Sequence, residues 1–282
     1  SNKIVVAMSG GVDSSVTAAL LVEQGYDVHG VSLRMWEGER GPRVCSDHRG
    51  AKEVAEHLGI THTLLDLRDQ FAETVVKPFA QDYLDGRTPN PCVACNRDFK
   101  LGTLLRWAKE QGAGYIATGH YARVIHDDRT RHTSLLRGAD GTKDQSYFLF
   151  ALSQEQLAHT VFPLGDMQKS AVRAKARALS LPAAERPESQ DICFGDYKLL
   201  VATYAKESDL DGGEVVDRSG KILGKHDGIH GVTIGQRRGL GISAREPLYV
   251  VGDGVVAAFN QSDGLDGAVE CLAAARTDPE GE

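Results

Sequence analysis

The chain has 282 residues, a length for one large domain or two modest ones, and its 41% hydrophobic content is sufficient for a sizeable core. With 32 Lys and Arg against 39 Asp and Glu the net charge is −7, which argues against a polybasic, histone-like protein that holds nucleic acid by overall charge. No stretch approaches the roughly 18 apolar residues of a membrane span, and Ser1-Asn2-Lys3 runs straight into Ile4-Val5-Val6 without a signal-peptide layout, so a cytoplasmic protein with no membrane partner is expected.

In chain order, Ile4–Met8 is a short apolar run expected to be a strand, followed by a Gly-rich turn and a helical pattern through Val16, Ala19 and Leu20 to about Gln24. Val28–Met35 predicts a second strand, and Ala51, Val54, Ala55 and Leu58 a helix stopped by Gly59. Thr61–Leu67 is a third strand, Phe71–Tyr83 and Phe99–Lys109 are helices, and Tyr115–Thr118 is a further strand. Strands alternating with helices imply a doubly wound α/β fold, its mostly parallel sheet covered on both faces and its ligands at the carboxyl ends of the strands.

Beyond Gly119 the pattern changes. Ala122–Ile125 and Ser134–Arg137 predict a hairpin, followed by helices at Gln154–Thr160 and Asp166–Leu179. From about Lys198, strands at Glu214–Val216 and Lys221–Leu223 flank the turn Arg218-Ser219-Gly220, and closely spaced turns predict a small β-rich domain. The expected partition is a catalytic domain over 1–197, a small adaptor over 198–247 and a weakly patterned remainder over 248–282. Charge follows it: residues 246–282 hold eight acids and one base, leaving residues 1–245 neutral. Within the neutral part, residues 216–245 carry six Lys or Arg against two Asp, either a solvated face or a local basic patch facing an anion.

Two segments carry chemistry. Ala7-Met8-Ser9-Gly10-Gly11-Val12-Asp13-Ser14-Ser15 lies where a strand ends and a helix begins, so small residues, inward N–H groups and a helix N-terminus make a phosphate cradle. It lacks the Lys of the G-x-x-x-x-G-K-[ST] loop, which removes the usual γ-phosphate transfer from consideration. The second segment, Gly86-Arg87-Thr88-Pro89-Asn90-Pro91-Cys92-Val93-Ala94-Cys95-Asn96, stiffens the approach to two thiols ahead of a helix expected to begin near Arg97. That placement favours a reactive thiolate. A zinc site using Cys45 or a His as a further ligand is the alternative, although one Cys-x-x-Cys pair is a weak zinc signal.

Ser-Gly-Gly-x-Asp-Ser resembles the pyrophosphate loop of the ATP pyrophosphatases, which split ATP between its α- and β-phosphates. Taken with Thr-Pro-Asn-Pro before Cys92 and Cys95, Ala117-Thr118-Gly119-His120-Tyr121, Lys143-Asp144-Gln145-Ser146-Tyr147, the Cys193 segment and Gly235-Gln236-Arg237-Arg238-Gly239-Leu240-Gly241, the order of motifs over about residues 3–251 resembles the tRNA-specific 2-thiouridylase family. The GMP, NAD, asparagine and argininosuccinate synthetases share the loop but not the two separated cysteines.

The resemblance implies an adenine nucleotide alpha hydrolase-like fold and ATP-dependent conversion of the wobble uridine (position 34) of tRNA to 2-thiouridine, with ATP and Mg2+ as cofactors. It implies that Ala7, Met8, Ser9, Gly10, Gly11, Val12, Asp13 and Ser14 hold the nucleotide, with Asp13 near Mg2+ and Leu33 and Gly119 against adenosine. Asn90, Pro91 and Cys92 then line the target-base pocket, while His120, Lys143, Asp144, Gln145, Gln236 and Arg237 meet tRNA. Cys193 receives sulfur from a persulfide donor protein and Cys95 assists transfer, sulfide being the source in the cluster alternative that follows. Cys92 stands where many members of that family carry Asp, so Cys92, Cys95 and Cys193 also form a set suited to three irons of a 4Fe–4S cluster that binds sulfide at the fourth. Family members also usually continue into a longer C-terminal barrel, so residues 248–282 are expected to be a shortened or degenerate remnant of it. Rival readings are a pyrophosphate-loop sulfurtransferase acting on another nucleobase or a small molecule, and an inactive tRNA-binding or sulfur-carrier module.

Overall fold

A computed structural model of the chain describes residues 2–36, 47–187, 197–206, 212–217, 219–226, 228, 231–244, 247–252 and 255–258. The chain divides into two compact units, one of residues 1–75 and 90–195, the other of residues 76–89 and 196–282.

The first unit is built on five parallel strands, β1 (Lys3–Ala7), β2 (Asp27–Arg34), β3 (Thr61–Asp66), β4 (Tyr115–Ala117) and β7 (Thr160–Val161), in the order β3-β2-β1-β4-β7. Central β1 shows why a continuous apolar run forms such a strand: Ile4, Val5 and Val6 are all at most 1% exposed, because the two faces of the sheet are both covered. Ile4 and Val6 point to one core with Ala18 and Leu21 of α1 (Val12–Glu23) and Ala51, Val54 and Ala55 of α2 (His48–Leu58). Burial of each large aliphatic there contributes about 1.5–3 kcal/mol.

Local signals set the boundaries of α2. Asp47 accepts a hydrogen bond from Gly50 N at its start, and Gly59 ends it at φ +67°, a left-handed conformation that favours glycine. After β3 the chain passes through α3 (Arg68–Phe71) and a π-helical turn (Ala72–Val76) into α4 (Lys77–Leu84). The helix predicted over Phe71–Tyr83 is therefore divided between the units.

The helix predicted from near Arg97 begins earlier. It starts as α5 (Pro91–Ala94), widens into a π-helix over Cys95–Thr103 and continues as α6 (Leu104–Glu110). Antiparallel β5 (Ala122–Asp127) and β6 (His132–Arg137) form the expected hairpin. The segment expected to be helical over Gln154–Thr160 stops as α7 (Gln154–Ala158), and β7 follows at the sheet edge, registered on β4 through Ile116 with Thr160 and Ala117 with Val161. Helix α8 (Lys169–Ala178) packs Val172 and Ala176 against Val16 and Ala19 of α1.

The second unit pairs α4 with α9 (Tyr197–Tyr204), where Tyr83 and Tyr197 rings lie 4.9 Å apart. Its sheet runs β10-β11-β8-β9, from β8 (Gly213–Asp217), β9 (Ile222–His226), β10 (Leu248–Gly252) and β11 (Val255–Ala258). Val215 of β8 and Val250 of β10 share one small core with Leu223, Leu240 and Ile242. Strands on both sides of residue 247 thus belong to a single sheet, and a boundary drawn there passes through it.

Candidate active site

The chain leaves β1 toward β2 and β3 and returns to β4 on β1's other side, so the loops after β1 and β4 diverge at a topological switch point. Ala7, Met8, Ser9, Asp13, Ser14, Leu33, Thr118, Gly119, His120 and Gln145 line a cavity there, with Val31, Met35 and Lys100. Gly10 turns the loop at φ +78°, and a Cβ on Gly10 would lie 2.5 Å from Asp47 O. The loop then closes on itself, with Ser9 N donating to Ser14 Oγ at 3.1 Å and Ser14 and Ser15 hydroxyls donating to Gly11 O at 3.1 and 2.8 Å. Gly11 caps α1 without a side-chain hydrogen bond, so the helix N-terminus presents backbone donors toward an anion. Gly119 completes the cradle: a Cβ there would meet Asp13 C and Ser14 N at 2.9 Å.

Asp13 has partners that adjacent sequence does not reveal. Lys169 Nζ lies 2.7 Å from both Asp13 carboxylate oxygens, and Tyr121 OH donates to Oδ1 at 2.9 Å. The Lys169 side chain is only 11% exposed, its ammonium is 5.6 Å from the Tyr121 ring centroid, and its backbone N–H donates to Asp140. Both Asp13 oxygens are thus engaged by an ammonium ion, and the donor set does not fit direct Mg2+ ligation by Asp13. Arg186 braces the loop from outside, donating to Gly10 O at 3.0 Å and pairing with Asp47. It comes so close over Gly50 that a Cβ there would be 1.7 Å from Nη1.

The segments after β4 and β6 are locked together. Tyr121 N donates to Gln145 Oε1 at 3.1 Å, and Gln145 N donates to Tyr121 O at 2.9 Å. Asp144 pairs with the Arg137 guanidinium at 3.0 Å. Burial raises its pKa, but hydrogen bonds from Gly138 N, Arg137 and Ser146 outweigh that and hold the carboxyl at about 2, so Asp144 fixes the turn as an anion.

His120 shares a 2.8 Å hydrogen bond with Thr118 Oγ1, and burial followed by the nearby Lys100 charge lowers its pKa to about 3. At neutral pH the imidazole is uncharged. An unfolded His takes a proton near 6.5, so below that pH the unfolded chain binds the extra proton and the folded state is destabilised until about 3. The melting temperature is expected to fall as pH is lowered from 7 to 5, with a shallower slope in His120→Gln; an unchanged slope assigns the effect to His29 and His62, which burial also lowers.

The cysteine segment lies behind this cavity. Asn90 Oδ1 accepts from Cys92 N at 3.1 Å and caps α5, Pro91 is buried at its first turn, and Cys92 is half-buried. Cys95 is 4% exposed, and its Sγ lies 3.7 Å from Sδ of the cavity-lining Met35. Cys92 thus lies in the first turn of α5, and Cys95 opens the π-helix beside the Met35 sulfur. Its neighbour Asn96 donates to Phe148 O at 3.1 Å, while its buried Oδ1 has no partner among the described residues.

Among the described residues no group of three His, Cys, Asp or Glu is set to hold a metal ion; Cys45 and Cys193 lie outside those residues. In the second unit, Gln236 spends its side chain on Thr233 N and Arg238 O, and Arg237 stays exposed on the resulting loop. Sequence reasoning missed Lys169, Tyr121 as a ligand of Asp13, Arg186, Lys100 and Met35. Only Tyr121 lay inside a motif.

The sheet, the switch point and the glycine loop define a nucleotide-binding enzyme of the pyrophosphate-loop class. Residues 2–196 match the family described as tRNA methyl transferase HUP domain, and residues 200–257 the one described as tRNA methyl transferase PRC-barrel domain. The chain is 49% identical over 261 residues to tRNA-specific 2-thiouridylase MnmA 2 of Thermoanaerobacter sp. (strain X514), covering 89% of this chain and 71% of that protein. It is 51% identical over 253 residues to the MnmA of Syntrophotalea carbinolica, covering 88% and 71%, and 47% identical over 267 residues to that of Solibacter usitatus, covering 88% and 72%. The chain belongs to the tRNA-specific 2-thiouridylase family.

Proposed function

We propose that this protein uses ATP to convert the wobble uridine of tRNA to 2-thiouridine, through a base adenylate and a cysteine-borne sulfur. The observation that carries the reading is that Cys95 Sγ lies 3.7 Å from Sδ of Met35, which lines the cavity that Ser9, Asp13 and Ser14 also line. A pyrophosphate cradle with a thiol one side chain away suits thiolation. Methyl transfer, the wording of the matched domain descriptions, needs neither.

The uridine C2 carbonyl is a weak electrophile. Its oxygen attacks the α-phosphate of ATP, releasing pyrophosphate into the loop, where the α1 N-terminus and the Lys169 ammonium offset the developing charge. A persulfide on Cys193 then adds to C2 and AMP departs with the former carbonyl oxygen. Attack of Cys95 on the Cys193 sulfur breaks the S–S bond, leaving sulfur on C2 and a Cys95–Cys193 disulfide that an external thiol reduces. The target base leaves its stack to reach the cavity, passing Asn90, Pro91 and Cys92. A persulfide-bearing donor protein supplies the sulfur. Magnesium enters with the ATP phosphates, and no residue of the chain is assigned to it. No helix among the described residues is long and apolar enough to cross a membrane, and we place the activity in the cytoplasm.

With Cys92, Cys95 and Cys193 as ligands, a 4Fe–4S cluster would instead supply sulfide; iron and acid-labile sulfide in anaerobically purified protein separate the two routes. The function itself is tested by incubating the protein with ATP, tRNA and a persulfide donor. AMP and pyrophosphate in equal amounts, dependent on tRNA, are expected, whereas ADP formation or turnover indifferent to tRNA overturns the reading.

A further inference from the structure

Tyr147 and Phe150 are 67% and 68% exposed, unusual for two aromatic rings in a single turn. Their 3-10 turn (Ser146–Leu149) is firmly held: Leu149 is 1% exposed beneath it, Asp144 accepts from Ser146 N, and Asn96 donates to Phe148 O. The rings are 6.2 Å apart and inclined at 45°, so they do not cover each other. The turn begins directly after the cavity-lining Gln145 and packs against α5, the helix that carries Cys92. On its other side Asp144 holds the Arg137 guanidinium, whose side chain is 84% exposed. Rigid exposed rings beside an exposed cation match the chemistry that binds single-stranded nucleic acid, with stacking on bases and attraction to phosphates.

We infer that Tyr147 and Phe150 form a stacking platform for the unpaired nucleotides flanking the target uridine, holding the anticodon loop while the uridine enters the cavity. This rests on the thiolation reading and extends it from the target base to its neighbours. The platform selects an open loop rather than a sequence, since every base presents a π-face.

The test uses the full chain and an anticodon stem–loop RNA with 2-aminopurine immediately 3′ of the wobble uridine. Fluorescence is expected to be quenched on binding to the unaltered protein. Tyr147→Ala and Phe150→Ala are each expected to weaken RNA binding roughly tenfold and relieve the quenching. ATP affinity, melting temperature and the salt dependence of RNA binding should not change, because no phosphate contact is removed. Tyr147→Phe and Phe150→Tyr should restore binding. Unaltered RNA affinity and quenching in both alanine variants overturn the inference. It is equally overturned if those variants bind RNA normally but fail to accept sulfur from a donor protein, since the rings then dock a protein. If the unaltered protein does not bind the RNA, the thiolation reading falls and the platform with it.

Discussion

Lys169→Met is expected to reduce tRNA-dependent AMP formation by about 100- to 1,000-fold. Met preserves most of the aliphatic length but removes the ammonium 2.7 Å from both Asp13 oxygens. The Asp13 carboxylate then stands uncompensated where pyrophosphate must develop charge; two like charges about 4 Å apart repel by about 4 kcal/mol at an effective dielectric constant near 20. The variant also strands a charge in a partly buried pair. Because Asp13 is 33% exposed, the usual cost of breaking a buried pair is discounted to about 1–3 kcal/mol of stability. Adding Asp13→Asn should recover the melting temperature without recovering turnover, since the missing cation is not replaced. Near-normal AMP formation by Lys169→Met removes Lys169 from the site's chemistry.

Cys193→Ser and Cys95→Ser are expected to reduce 2-thiouridine formation below detection while tRNA-dependent pyrophosphate release in a single turnover stays within about threefold of normal. Serine can neither carry a persulfide nor open an S–S bond at neutral pH, and neither step is needed to form the adenylate. Ser is close to Cys in size, so at the 4% exposed Cys95 position the fold should lose only about 1 kcal/mol for the added buried hydroxyl. Loss of single-turnover pyrophosphate release in Cys193→Ser means that this residue has been misassigned. Cys92→Asp separates the sulfur routes: transfer survives if a persulfide is relayed, and disappears with the bound iron if a cluster supplies sulfide.

The cradle was legible in the sequence because its determinants are contiguous. A β-strand, two glycines and a helix within residues 3–23 fix a loop whose geometry admits few alternatives; the resemblance put Gly119 against adenosine but His120 and Gln145 on tRNA, whereas all three line one cavity. Lys169 was not legible. It opens a run of basic and small residues, Lys169-Ser170-Ala171-Val172-Arg173, that looks like a solvated face, and only the packing of α8 on α1 brings it to Asp13. Arg186 is similarly remote from Gly10 and Asp47 in the chain. The early start of α5 left a readable sign, Asn90 as cap and Pro91 at the first helical position; the widening at Cys95 did not, because no residue pattern distinguishes a π-turn from an α-turn. Strand β7, at two residues, is too short to show a period.

The overall charge misleads about the partner. Net −7 arises entirely from residues 246–282, while the Gln236 loop presents exposed Arg237 and Arg238 and the Tyr147 turn presents aromatic rings. Affinity for a polyanion is set by such local surfaces. The most direct test of the central claim is mass spectrometry of tRNA digested after incubation with the protein, ATP and a persulfide donor. A wobble uridine heavier by the difference between sulfur and oxygen, absent when ATP is omitted, is the expected result; ATP consumed to AMP with every uridine unchanged in mass would contradict it.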